Sequence, residues 1–538
     1  MAKENSVSSE LISALQDPAL YDHPVDGFRV FETHISWVIL TGEFAYKIKK
    51  PMDFGFLNFS TLERRRTFCH EEVRLNRRMA DSLYLDVLPI TGSASAPVLN
   101  GDGEPFEYAI RMRQFDQAGM LDGMQERGEL TSGIIRDLAH QTALFHRNLP
   151  TDPPDDELGT AGAIGSAMQE NFDQVRPMLE DADLLRQVDE LEAWTQSTFE
   201  RHRDRIQKRR DDGFVRECHG DLHLSNITLQ NGQATVFDCI EFNDSFRWID
   251  VLNDLAFLLM DLESRDEYGL ATEALNTWLE YTGDYEGLAL LPLYKAYRAM
   301  VRAKIALFTR ENPDLDDEAR AELLDSYRRY AALADTYTRI PNAYLLATTG
   351  LSGSGKSVIS AALSRSLGLV RLRSDVERKR LFGLDPLEQS HSEQEGNLYT
   401  AEATRETYDR LSQLAGALLQ AGMPVIVDSA ALKQQEREQL ESVAANLGLP
   451  FCLIDCEAPE ETRRQWVRER QGDASEATES LLDAQRQWAE SLTEEERTHT
   501  IHVRTDAEGA AELLAERIRG HFRVDPRTDH PGESASPA

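Results

Sequence analysis

The 538-residue sequence predicts an α+β unit followed by an α/β unit built on a parallel sheet flanked by helices. Three observations carry this. Residues 350–357 read Gly-Leu-Ser-Gly-Ser-Gly-Lys-Ser, between a buried-strand pattern at 343–349 (AYLLATT) and a helical pattern at 357–367. Residues 219–226 read His-Gly-Asp-Leu-His-Leu-Ser-Asn, and residues 228–238 then supply a strand, an Asn-Gly turn, a second strand and Asp238. The length leaves room for roughly three or four domain-sized pieces.

Taken in order, residues 28–34, 36–40 and 43–48 read as successive strands, with Thr41-Gly42 as a tight turn. A helix follows at 62–79 and another at 138–146, where His146 reads as structural. Residues 162–210 have the pattern of a helical insertion, and 286–338 are helix-compatible except around Asn312-Pro313-Asp314. The division this implies is an N-terminal extension at 1–25, a first domain at 26–338 with lobes at about 26–115 and about 116–338, a second domain at 340–523, and a tail at 524–538. The tail is rich in Pro, Ser, Asp and Gly and is expected to be disordered.

The spacing at 350–357 is G-x-x-x-x-G-K-S. Such a loop turns the backbone N–H groups of Gly350, Gly353, Ser354 and Gly355 toward a phosphate at the positive end of the next helix. Lys356 would neutralise phosphate charge and Ser357 would ligate Mg2+. The apolar run 424–427 ends in Asp428, a carboxylate at a strand end suited to the same cation; the alternative is a helix or turn cap. In the first half, Asp221 and Asn226 stand five apart, as needed to orient an acceptor hydroxyl and bind a metal, and Asp238 is the second metal-ligand candidate. A lysine is needed for the phosphates. Ten of the 58 Lys and Arg residues are lysine, and the Lys47-Ile48-Lys49-Lys50 cluster is therefore informative. Lys47 and Lys49 share one strand face, so spacing does not choose between them.

The form H-G-D-L-H-x-x-N, with Phe237-Asp238-Cys239-Ile240-Glu241-Phe242 and the later Asp250 and Asp254, resembles the aminoglycoside phosphotransferase and choline kinase branch of the protein-kinase-like fold. Protein kinases carry Arg after that His. The resemblance implies two lobes, ATP and Mg2+ as cofactors, Asp221 as catalytic residue, Lys47 as phosphate contact, and Glu72 as its partner on the 62–79 helix, with Glu71 as the alternative. Asp53-Phe54-Gly55 spells the protein-kinase metal motif but precedes both that helix and the catalytic loop, so it reads as a loop. The N-terminal lobe lacks a G-x-G-x-x-G loop, which agrees with the phosphotransferase branch.

In the second half, Ser374-Asp375-Val376-Glu377-Arg378 resembles small P-loop kinases of the polynucleotide kinase, zeta toxin and gluconate kinase group. That resemblance implies Asp375 as the base and Arg378 as an acceptor or phosphate contact. It also implies lid arginines, for which Arg463, Arg464, Arg468 and Arg470 are the candidates, although a solvated helix face explains most of that segment. The whole chain resembles bacterial fusions of an aminoglycoside phosphotransferase-like domain with a C-terminal P-loop kinase or AAA-type ATP-binding domain.

Composition narrows the partners. A net charge of −35 and a pI near 4.8 repel a nucleic-acid backbone, leaving at most a nucleotide end for an Arg-lined groove. No apolar run approaches a membrane span, and no cleavable leader pattern is seen. Cys69, Cys218, Cys239, Cys452 and Cys456 are scattered without metal-ligand spacing, as in a reduced, cytoplasmic protein. The expected function is a bifunctional phosphotransferase acting on small-molecule hydroxyls. The alternatives are one kinase regulated by a nucleotide-binding partner domain, and an ATP-dependent scaffold or toxin-like modifier of a macromolecule.

Overall fold

Six antiparallel strands form the first sheet: β1 (Arg29–Glu32), β2 (Ser36–Leu40), β3 (Phe44–Lys49), β4 (Tyr84–Ser93), β5 (Ala96–Leu99) and β6 (Glu107–Arg113), in the order β1-β2-β3-β6-β4-β5. This computed structural model describes residues 9–522 except 56, 314, 340–341, 389–399, 470–473 and 476–478. The expected disordered tail at 524–538 and the lid candidate Arg470 lie outside the described residues.

Alternation along β3 assigns its two faces. Tyr46 and Ile48 join Ile39, Leu88 and Ile90 in a core closed by Leu11, Ile12 and Leu15 of the N-terminal segment. Ala45 joins Leu40, Cys69, Val73 and Met112 on the opposite face, against helix α1 (Leu62–Ala80). Lys47 and Lys49 share that second face, which directs both toward α1. The helix begins where Thr61 Oγ1 accepts from Arg64 N, and its last turn carries Arg77 and Arg78. Buried Arg65 ties it to the sheet through Nε, 2.8 and 2.9 Å from the two Glu107 carboxylate oxygens.

The helical segments that follow are α2 (Ser132–Asn148), α3 (Ala161–Val175), α4 (Ala182–Asp211), α5 (Val251–Glu263), α6 (Tyr268–Thr282), α7 (Leu291–Arg310) and α8 (Asp317–Thr336). Among them lie the pair β7 (Val215–Glu217) with β10 (Trp248–Asp250) and the hairpin β8 (Ile227–Gln230) with β9 (Gln233–Val236). The hairpin turns on Asn231 and Gly232, both at positive φ (50° and 82°), as a two-residue turn matched to strand twist demands.

The last sheet is parallel throughout, β12 (Val370–Arg373), β13 (Val425–Asp428), β11 (Leu345–Thr349), β14 (Phe451–Glu457) and β15 (Thr500–Arg504) in that spatial order. All five residues of β11 are buried, as a central parallel strand covered on both faces requires. Its helices are α9 (Lys356–Leu367), α10 (Ser374–Leu381), α11 (Ala401–Gln420), α12 (Gln434–Leu447), α13 (Glu460–Glu469), α14 (Glu479–Trp488) and α15 (Ala510–Phe522). Leu346, Ile426 and Ile454 of the sheet pack with Ile359, Leu363 and Ile518 of α9 and α15. The fold is therefore a kinase-like α+β portion followed by a helix-flanked parallel sheet.

By packing, one compact unit comprises the described residues up to Leu138 with Phe145–Ile164 and Arg203–Leu258. The other comprises Ala139–Leu144, Gly165–His202 and the described residues from Leu259 onward.

Candidate functional site

The loop at 219–226 is held by its own backbone and by α5. Gly220 has φ +84°, and a Cβ there would lie 2.7 Å from Phe246 O, so the turn requires glycine. Asp254 Oδ1 accepts from Gly220 N at 2.8 Å, and Oδ2 accepts from His219 N at 3.1 Å with His146 Nε2 also at 3.1 Å. Burial holds the His219 pKa below its ordinary value, against the opposing charges of Asp254 and Asp221. Its neutral ring donates from Nε2 to Phe237 O (3.0 Å) and accepts at Nδ1 from Asp221 N (3.3 Å), which fixes the tautomer. Glu217, just before the loop, accepts from Arg74, Arg78 and Arg247. Burial raises its pKa, but the Arg74 hydrogen bonds and the charges of Arg78 and Arg247 outweigh this and hold it low.

Asn226 Nδ2 donates to Asp221 Oδ2 at 2.9 Å and to Asp221 O at 3.0 Å, which leaves the amide oxygen as the atom that can face a cation. Phe237 N donates to Asn226 O, so the loop and the residue before Asp238 are stitched together. Asp238, at φ +64°, turns its carboxylate to Lys47 Nζ at 2.5 Å. Lys47 is also 2.8 Å from Glu72 Oε1. Burial would lower the Lys47 pKa, but Asp238 and Glu72 reverse this and hold it well above its ordinary value. Lys49 reaches the other Glu72 oxygen at 2.5 Å and pairs with Glu241. The two lysines thus take opposite sides of one glutamate: Lys47, 11% exposed, beside Asp238, and Lys49, 1% exposed, in the protein interior. Glu71 instead pairs with Arg74 on the surface of the helix.

The second loop is a close-fitting turn. Gly350, Gly353 and Gly355 have φ of +137°, +73° and +79°, and added Cβ atoms would meet Cys456 O at 2.5 Å, Arg463 O at 2.6 Å and Thr505 Oγ1 at 2.8 Å. Lys356 Nζ donates to Gly350 O and Leu351 O at 2.9 and 2.8 Å. Ser354 Oγ is buried and finds no hydrogen-bond partner among the described residues. Asp428, at the end of β13, accepts from Ser357 Oγ at 3.4 Å and Ser360 Oγ at 3.0 Å, with Arg373 Nε at 3.7 Å. A cavity of about 940 Å³ opens here and is lined by Lys356, Ser357, Asp428, Asp375 and Arg378. Arg378 Nη1 donates to Thr404 Oγ1 at 3.3 Å.

Residues 60–291 match the family model of the phosphotransferase enzyme family, and residues 345–492 match that of an AAA domain. The chain joins a phosphotransferase-family domain to an AAA domain. Uncharacterized proteins of Mycobacterium tuberculosis and Mycobacterium bovis are each 28% identical over 474 residues, covering 86% of this chain and 91% of theirs. Among solved structures, a choline/ethanolamine kinase family protein from Mesorhizobium loti is 12% identical, with a TM-score of 0.36, over 61% of this chain and 98% of its own. A sugar kinase from Janibacter sp. HTCC2649 is 22% identical, with a TM-score of 0.27, over 35% of this chain and 98% of its own.

Both domains fit a magnesium nucleotide. In the phosphotransferase domain the donors at Asp221, Asn226 and Asp238 are hard oxygens with a lysine alongside. In the AAA domain the loop is a cradle that any Cβ would fill, with the hard oxygens of Ser357 and Asp428 at its end. The lid candidates Arg463, Arg464 and Arg468 lie on helix α13. Helix α13 presents Trp466 and Glu469 to the AAA cavity. Arg464 pairs with Glu460 at 3.0 Å, Arg468 Nε donates to Arg464 O, and Arg463 contributes its main-chain carbonyl beside Gly353. Glu241 and Arg373 belong to these sites without having been singled out by sequence. Glu241 stands three residues after a metal-ligand candidate and Arg373 one residue before Ser374-Asp375, and those offsets were the available signals.

Proposed function

We propose that the protein is an ATP- and Mg2+-dependent bifunctional phosphotransferase, each domain moving the γ-phosphoryl group to a hydroxyl of a small molecule. The observation that carries this reading is that Asp375 shares one cavity with Lys356, Ser357 and Asp428, while Asp221 is hydrogen-bonded to Asn226 in a loop stitched to the strand leading to Asp238 and Lys47. In each domain the acceptor oxygen forms a bond to the γ-phosphorus, the bond to the β,γ-bridging oxygen breaks, and the hydroxyl proton passes to Asp221 or Asp375. Asn226 and Asp238 in one domain, and Ser357 and Asp428 in the other, would hold Mg2+, which when bound would neutralise charge on the phosphates. Lys47 in one domain and Lys356 in the other orient the phosphates, with Glu72 keeping Lys47 charged and in place. In the AAA domain, Arg378 contacts the acceptor or a phosphate.

Among the described residues no helix is long and apolar enough to cross a membrane. The use of ATP and the five buried, unbridged cysteines support a cytoplasmic setting.

The test is transfer from γ-labelled ATP into a fractionated cell extract by wild type, Asp221→Asn and Lys356→Ala. Loss of a different labelled product in each variant is the expected result. Absence of any product dependent on either residue would overturn it. Loss of one and the same product in both would favour a single reaction gated by its partner domain, a reading supported by the packing of α6, which lies within the phosphotransferase match, on the AAA sheet.

A further inference from the structure

Helix α6 lies inside the stretch matching the phosphotransferase family, yet it runs along β12, the edge strand of the AAA-domain sheet. Asn276 Oδ1 accepts from Arg371 N at 2.7 Å, and its Nδ2 donates to Leu369 O at 2.9 Å, so one side chain satisfies two main-chain groups at that edge. One turn along the same helix, Glu280 is buried and holds two arginines: Arg371 Nη2 at 2.7 Å and Arg373 Nη1 at 3.3 Å. Each arginine continues into the nucleotide site. Arg371 Nη1 donates to Ser357 O at 3.4 Å, and Arg373 Nε lies 3.7 Å from Asp428 Oδ2.

We propose that Glu280 is a positioning residue for the AAA-domain cation site, drawing Arg373 off Asp428 so that this carboxylate is available to Mg2+. The proposal rests on reading residues 350–357 and Asp428 as a magnesium-nucleotide site. Arg373 is shared between two carboxylates and lies closer to Glu280. Without the Glu280 charge its attraction to Asp428 is no longer opposed from that side, and a guanidinium and a divalent cation then compete for the same oxygens. The Ser357 and Ser360 hydroxyls on Asp428 are neutral and do not offset that competition. Burial pushes the Glu280 pKa up, but Arg373 and Arg371 outweigh it and keep the group ionised, as this role needs. The consequence is that a residue of the phosphotransferase stretch sets the metal requirement of the AAA domain.

The experiment is Mg2+ titration of the binding of a fluorescent ATP analogue to the full chain, with the signal of Lys356→Ala subtracted to isolate the AAA site. Glu280→Gln is expected to raise the half-saturating Mg2+ concentration by about fivefold or more while leaving metal-free affinity close to wild type; loss of the buried charge beside Arg371 and Arg373 lowers the melting temperature, so the titration is run well below the variant's own transition. Glu280→Asp, which keeps the charge, should stay nearer to wild type. Adding Arg373→Gln to Glu280→Gln should bring the half-saturation back down, a rescue that a purely structural role does not produce. An unchanged Mg2+ titration in Glu280→Gln, or a double variant worse than the single one, would overturn the proposal. Absence of any Lys356-dependent binding in wild type would instead overturn the nucleotide-site reading on which it rests, a result distinct from an unshifted titration.

Discussion

Lys49 Nζ lies 2.5 Å from Glu72 Oε2 at a position 1% exposed, on the far side of the glutamate from Lys47. Lys49 therefore neutralises charge inside the lobe, because Glu72 and Glu241 are both buried against it. Lys49→Met would take the cation from buried Glu241 and leave Glu72 with Lys47 alone, and unfolding experiments should show a loss of about 3–5 kcal/mol. Lys47→Met should instead cut transfer by the phosphotransferase domain on the order of a hundredfold, with a smaller change in melting temperature.

Gly220→Ala should damage that domain without touching a ligand. The positive φ and the 2.7 Å approach to Phe246 O force the loop to shift, at a cost of about 1–3 kcal/mol. Because Asp221 is the next residue, the same variant should lose transfer activity. Calorimetry and the labelled-ATP assay read the two effects separately.

The Glu217 carboxylate predicts a pH dependence. The arginines around it hold its folded pKa below the ordinary carboxylate value, so its contribution to stability is fully present above that ordinary value and is lost as pH falls through the folded pKa. Melting of wild type and Glu217→Gln between pH 7 and pH 4 should show the wild type ahead at neutral pH. The gap should narrow below about pH 4.5.

Asp375→Asn keeps the shape of the AAA cavity but removes the proton acceptor. Transfer by that domain should fall about 10²–10⁴-fold, with nucleotide affinity preserved. Equal losses in affinity and rate would show that Asp375 binds nucleotide instead.

All five cysteines are buried, and none is in a disulfide among the described residues. Burial pushes the Cys69, Cys239, Cys452 and Cys456 thiols up to about 12, far from the thiolate form. A thiol reagent should therefore label the native protein slowly and all five residues after unfolding in denaturant.

Much of this was legible because the loops depend on local backbone geometry. The strand Ser36–Leu40 has the bounds its pattern predicts, and the Asn231-Gly232 turn does what its dipeptide specifies. Strands β4 to β6 were not legible: Tyr84–Ser93 contains Asp86 and Pro89, and Glu107–Arg113 carries three charged residues, which mask the alternation. The choice between Lys47 and Lys49 was out of reach for another reason. Period two places both on one face, and what separates them is contact with Asp238 and Glu241 about 190 residues away. The arginines of α13 rested on a resemblance, and the i,i+4 pairing of Arg464 with Glu460 is the local interaction their spacing also allowed.

The Asn276 side chain on β12 also bears on solubility. A parallel sheet with an uncovered border offers its main-chain groups to any passing strand. Here that border is sealed by a helix encoded some ninety residues upstream, so a fragment cut near residue 340 would leave Leu369 O and Arg371 N open to pairing between molecules. Shortening this protein to its second domain would thus favour aggregation, and the fused arrangement serves as a guard against it.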